Sequence, residues 1–134
     1  MVIEYHPIGE FHTGHSSETG TPRQGALVPD NPGIIEIYPE YQEALKSLEE
    51  CGYIIVLYHM HMSDHWNALV TPPGAEKELG LFATRSPNRP NSIGFSVIKL
   101  LRVEGTMLYL NGVDAFNGTP VLDIKPWLPF DNFN

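Results

Sequence analysis

At 134 residues, with 42% hydrophobic and 18% charged residues, the chain has the size and composition of one soluble globular domain that buries a core without disulfides or structural metal. A net charge of −8 argues against general nucleic-acid affinity, which rests on neutralising phosphates. No apolar run approaches the roughly 20 residues of a membrane helix, the start MVIEYHPIGE has no signal-peptide character, and the lone Cys51 cannot form an intrachain disulfide; together these point to the cytoplasm.

Twelve glycines and twelve prolines, spread throughout, predict many short strands joined by turns, an all-β or β-rich domain. Residues 2–11 are the first strand candidate. Residues 13–32 are rich in Gly, Ser, Thr and Pro and lack apolar periodicity, which predicts a long surface loop with Pro22, Arg23 and Gln24 in its middle. Residues 34–37 read as a strand. One helix is expected over residues 39–50, with Pro39 in its first turn, Tyr41, Ala44, Leu45 and Leu48 on one stripe, an acidic opposite face, and Gly52 as the stop. Cys51 reads as an inert small residue at the end of that helix. Residues 53–58, YIIVLY, are apolar on both faces and predict a central strand covered on both sides. Residues 97–103 and 106–110 flank a hairpin signal at Glu104-Gly105, and residues 121–124 form a last short strand.

Three polar segments interrupt this pattern. Residues 81–95, LFATRSPNRPNSIGF, set arginines, asparagines and prolines between apolar runs. Pro87 and Pro90 hold Ser86 and Arg89 extended, so the loop is stiff. Arg85 and Arg89 offer planar donor forks and Asn91 an amide, a surface suited to a carboxylate, a phosphate or a base edge; the plainer reading pairs the arginines with surface acids. In the second segment, residues 59–65, His59 and His61 share one face of an extended chain. With Asp64 or His65 they could hold a transition metal, although histidines at a strand end more often line a pocket or donate to a backbone carbonyl. The third, residues 111–120, NGVDAFNGTP, is ordinary turn chemistry except for Asp114 between apolar neighbours, a carboxylate able to accept from a ribose or an amine. GxGxxG, GxxxxGK[ST] and GxSxG are absent, so neither a dinucleotide fold nor a hydrolase elbow has an anchor. Arg85, Arg89, Lys99 and Arg102 cluster while Glu36, Glu40, Glu43, Glu49 and Glu50 crowd elsewhere; one locally positive face allows an RNA substrate without predicting one.

In this order, Ile8-Gly9, Pro22-Arg23-Gln24, GIIEI at residues 33–37, FATRSPNRPN at residues 82–91, Ile93-Gly94, NGTP at residues 117–120 and DIKP at residues 123–126 resemble the TrmO family, also called TsaA-like or YaeB, of S-adenosylmethionine-dependent tRNA methyltransferases. The resemblance implies one TsaA-like domain over residues 1–134, a small single β-barrel with one short helix that forms a homodimer with S-adenosylmethionine near the subunit interface. The implied reaction is methylation of the N6 nitrogen of threonylcarbamoyladenosine next to the anticodon of tRNA. Carried over by position, the cofactor contacts are Pro22, Arg23, Gln24, His59, Met60, Arg85, Phe95, Asn111, Gly112, Val113 and Asp114. Arg89 and Asn91 are candidate substrate contacts, and no metal is expected, since His59 then belongs to a cofactor wall. Asp64, His65 and Asp114 are candidate bases by chemistry alone and none ranks as catalytic. A non-catalytic S-adenosylmethionine-binding module, or a methyltransferase with another acceptor, is the alternative. Ser92 replaces the usual proline, Asn117 the usual aspartate, and the sequence ends soon after Trp127, so the C-terminal domain of longer bacterial members is expected to be missing.

Overall fold

The computed structural model describes residues 1–14, 31–61 and 63–131, and among them are eight strands and several 3₁₀ segments. The strands are β1 (Gly9–His12), β2 (Pro32–Ile37), β3 (Tyr53–His59), β4 (Leu69–Val70), β5 (Leu79–Gly80), β6 (Ile93–Glu104), β7 (Met107–Asn111) and β8 (Pro120–Pro126). Six of them close a barrel in the order β1-β2-β7-β6-β3-β8, and β4 and β5 form a separate two-stranded sheet. The β-rich domain expected from the turn-rich composition and the barrel implied by the family resemblance are therefore present. Every neighbouring pair is antiparallel. Closure gives each of these six strands a neighbour on both sides.

Period-2 alternation fills the interior. Ile54, Val56 and Tyr58 of β3, Ile98 and Leu100 of β6, and Leu108 and Leu110 of β7 point inward beside Phe11, Ile35 and Ile37. Each fully buried side chain of this size contributes roughly 1.5–3 kcal/mol. Phe11 meets Tyr58 edge to face, with ring centroids 5.6 Å apart.

Four local expectations are corrected. The first strand starts at Gly9, not at residue 2, and residues 1–7 are exposed. The helix over residues 39–50 exists as two 3₁₀ segments, Pro39–Leu45 and Leu48–Cys51, separated where Ser47 takes a left-handed φ of 70°. Its stripe, Tyr41, Leu45 and Leu48, is only partly buried against the barrel, too little packing to sustain a longer α-helix. In β3 the burial alternates, because a barrel wall has one interior face; Tyr53 is 50% exposed, while Ile55 and Leu57 are half-covered. The hairpin loop is Gly105-Thr106, one residue later than expected, since Glu104 still pairs with Met107 and Gly105 takes the positive φ of 62° that the first loop position requires.

Candidate functional site

Antiparallel pairing gathers one set of strand ends at one end of the barrel: the last residues of β1, β3 and β7 and the first of β2, β6 and β8. His59, Met60, Phe95 and the loop after Asn111 all belong to this rim. The described chain leaves the rim at Gly14 and re-enters it at Asn31; Pro22, Arg23 and Gln24 lie outside the described residues.

Strand β6 is longer than its neighbour, and its register sets the site. Asn111 at the end of β7 pairs with Lys99, so β6 overhangs β7 from Ile93 to Ile98. The loop after β7 lies along that overhang and brings Asp114 to Ser96, whose hydroxyl donates to Asp114 Oδ1 at 2.8 Å. Tyr58 Oη stands 2.9 Å from the same Ser96 Oγ. Burial, then the Asp114 charge, push the Tyr58 phenol up to about 12, with the Ser96 bond and the Arg85 charge opposing. Arg85 and Asp114 therefore act on one buried phenol from the rim.

Asn31 cinches the loop. Its backbone N–H donates to Asn111 Oδ1 at 2.9 Å, its carbonyl accepts the N–H groups of Gly112 and Val113 at 3.0 Å each, and its side-chain amide donates to the Val113 carbonyl. Val113 is fully buried and both its backbone groups are taken by Asn31, so its part in the rim is to anchor the loop. Asn111 Oδ1 also accepts the Gly112 N–H at 3.0 Å.

The polar segment before β6 is stapled to itself. Arg89 Nη1 donates to the carbonyls of Thr84 (3.0 Å) and Ser86 (3.1 Å), and its guanidinium sits 5.8 Å from the Phe82 ring centroid. Thr84 Oγ1 donates to the Leu81 carbonyl at 2.7 Å. Asn88 Oδ1 accepts the Asp64 N–H at 2.7 Å and Ser92 Oγ lies 2.5 Å from Ser63 Oγ, tying the segment to the chain after β3. The serine found in place of the family's proline thus makes a bond that proline cannot. Asn117, the second departure, accepts the Thr13 N–H through its side-chain oxygen at 3.1 Å, as a carboxylate would.

Arg85 differs from Arg89. It is exposed, has no carboxylate partner among the described residues, and its guanidinium lies 5.3 Å over the Phe95 ring, itself 42% exposed on the outer face of β6. Two residues expected to act together are therefore stacked, and the stack leaves the in-plane donors of the Arg85 fork unused. His59 is exposed at the end of β3, and Met60, half-buried against the core, donates its N–H to the Ser92 carbonyl at 2.8 Å. Asn91 is exposed beside them.

Asp64 and His65 stand apart, with side chains 86% and 83% exposed, and pair with each other at 3.4 Å. The backbone N–H of His65 holds the Asp64 carboxyl below its usual range. Among the described residues the one group with metal-binding geometry is Glu10, His12 and Glu36, on the outer wall of β1 and β2, and it includes none of the histidines after β3. A groove of about 460 Å³ near it is lined by His12, Ile34, Leu101, Arg102 and Tyr109 and shares no residue with the candidate set. Its cation is already committed: Arg102 pairs with Glu104 at 2.8 Å and stacks on Tyr109 at 3.8 Å.

Sequence reading missed Tyr58, Ser96 and Asn31. Ser96 had a signal, as the one hydroxyl among the inward positions of β6; Asn31 had none, because its partners lie 80 and 82 residues away.

A guanidinium on an aromatic face, a carboxylate with one oxygen engaged, and a half-buried thioether on one barrel rim match a small zwitterionic ligand with a flat apolar part. The chain belongs to the family of the tRNA-methyltransferase O N-terminal domain, whose model matches residues 10–132. It is 41% identical over 129 residues to an S-adenosyl-L-methionine-binding protein of Archaeoglobus fulgidus, covering 96% of this chain and 91% of that protein. It is 42% identical over 129 residues to a probable S-adenosyl-L-methionine-binding protein of Pyrococcus abyssi, covering 96% and 70%. The tRNA (adenine(37)-N6)-methyltransferase of Rattus norvegicus is 39% identical over 129 residues, 91% of this chain but 30% of that enzyme. The crystal structure of TrmO from Pseudomonas aeruginosa superposes with a TM-score of 0.80 at 36% identity, covering 97% of this chain and 58% of that one. The chain thus spans less than two thirds of the length of these last two relatives.

Proposed function

We propose that this chain binds S-adenosyl-L-methionine at the barrel rim and, as a homodimer, transfers its methyl group to N6 of threonylcarbamoyladenosine next to the anticodon of tRNA. The observation that carries the reading is Arg85 stacked on Phe95 on the rim that also holds Asp114, in a chain of the TrmO family. Arg85 suits the ligand carboxylate, Asp114 a ribose hydroxyl or the ammonium, and Phe95 with Met60 the apolar walls; Pro22, Arg23 and Gln24 complete the proposed set. Bound there, the cofactor supplies a methyl group on a cationic sulfur. The chain's task is then to hold donor and acceptor in line at near-attack distance and to exclude water. The acceptor nitrogen lies between a carbonyl and a purine and must lose its proton as the new bond forms, a step to which none of Asp64, His65 and Asp114 is assigned. Exposed Asn91 is the substrate contact favoured next to the rim, because Arg89 already spends donors on its own loop.

A second reading, a binding module without turnover, is favoured by the Archaeoglobus relative, named for binding alone and covered over 91% of its length. Incubation with methyl-labelled cofactor and tRNA carrying threonylcarbamoyladenosine separates the two. Label in that nucleoside supports methyl transfer, and saturable binding with no label supports the module.

A further inference from the structure

Two buried hydroxyls lead from the core to the rim carboxylate, and neither has a role in the scheme above. Tyr58 is 8% exposed and Ser96 7%. Along β6 the other inward positions near the rim are Gly94, Ile98 and Leu100, so Ser96 places a polar group in an otherwise apolar column. Such a group persists where its bonds are met and used. The direction of the bonds follows from the donor inventory. A carboxylate only accepts, so the single Ser96 proton goes to Asp114 Oδ1, and Ser96 Oγ must accept from the Tyr58 O–H. Tyr58 in turn is fixed by its edge contact with Phe11 and by Gly94, where an added Cβ would stand 2.1 Å from the Tyr58 ring.

We propose that Tyr58 and Ser96 are positioning residues: they lock Asp114 by Oδ1 so that Oδ2 meets the ribose or ammonium of S-adenosyl-L-methionine. The inference rests on the cofactor reading above. It ties the ligand's acceptor to the barrel core, while the rest of its loop is tied to Asn31. Without the Ser96 hydroxyl, Asp114 keeps its charge and loses its fixed direction.

Calorimetry with S-adenosyl-L-methionine tests this on the unaltered protein, Ser96→Ala, Ser96→Thr, Asp114→Ala and the Ser96→Ala/Asp114→Ala pair. Ser96→Ala is expected to raise Kd about tenfold, Ser96→Thr to restore it to within about threefold, and Ser96→Ala to add nothing once Asp114 is gone. If Ser96→Ala alone does not fold, because it orphans the Tyr58 hydroxyl, the Tyr58→Phe/Ser96→Ala pair removes that hydroxyl too and should show the same weakened binding. No saturable binding by the unaltered protein overturns the cofactor reading, and the relay with it. Tight binding by the unaltered and the folded Ser96→Ala forms alike, or losses that simply add, overturn the relay alone.

Discussion

Two arginines four positions apart in one loop make different contacts, and their proposed roles differ accordingly. Arg89 spends donors on the Thr84 and Ser86 carbonyls, so it holds the loop's shape. Arg85 rests on Phe95 with no described acid to meet. Arg85→Ala should therefore weaken S-adenosyl-L-methionine binding by about tenfold to a hundredfold, the worth of a charge-assisted bond, and leave Tm nearly unchanged. Arg89→Ala should do the reverse, lowering stability by about 1–3 kcal/mol; calorimetry paired with thermal melts of both variants checks it, and equal loss of affinity and stability in Arg85→Ala would make that residue structural. The Tyr58 phenol supplies a pH test. Its folded pKa of about 12 exceeds the usual value of 10.0, so the unfolded chain ionises first as pH rises. The stabilising contribution is fully present below pH 10 and is lost between about 10 and 12, on the order of 2–3 kcal/mol. Denaturant melts across that range should show a steeper loss for the unaltered protein than for Tyr58→Phe, and parallel curves would contradict the assignment.

At the scale of elements, the long strand β6 organises the site. Its overhang past β7 receives the Asn111–Asp114 loop, its outward Phe95 carries Arg85, and its inward Gly94 leaves room for the Tyr58 ring. Gly94→Ala would drive a Cβ to 2.1 Å from that ring. We expect a loss of about 2–3 kcal/mol or more with a displaced Tyr58, read as a lower denaturant midpoint; an unchanged midpoint would mean that the ring moves freely. Part of this element was legible in the sequence: residues 97–103 read as a strand before a turn and the proline-arginine segment as a stiff polar loop, but β6 begins at Ile93, so residues 93–95 of the overhang were read as loop. The helix was read less well. The stripe Tyr41, Leu45 and Leu48 has helical spacing, but with only partial cover from the barrel it closes as 3₁₀ turns. Long-range clasps were invisible: nothing local to Asn31 points to Asn111 or Val113, and Tyr58 and Ser96, 38 positions apart, meet only once the register of β3 and β6 is known.

For the molecule as a whole, closure of six antiparallel strands places a polar rim at one end of a barrel whose interior is apolar. The chain carries a net charge of −8, so the tRNA binding proposed above should rest on few cations and depend only weakly on salt. The proposed homodimer is checked by sedimentation, which should give twice the 15.0 kDa of one chain; a single-chain mass at working concentration would remove it. The central claim is that the Arg85 and Asp114 rim is a cofactor site that serves methyl transfer. The most direct test is transfer of labelled methyl from S-adenosyl-L-methionine to tRNA carrying threonylcarbamoyladenosine, run with the unaltered protein and with Arg85→Ala. The account predicts label in that nucleoside with the first and a loss of at least about tenfold with the second. Equal transfer by both, or no binding of the cofactor at all, would contradict it.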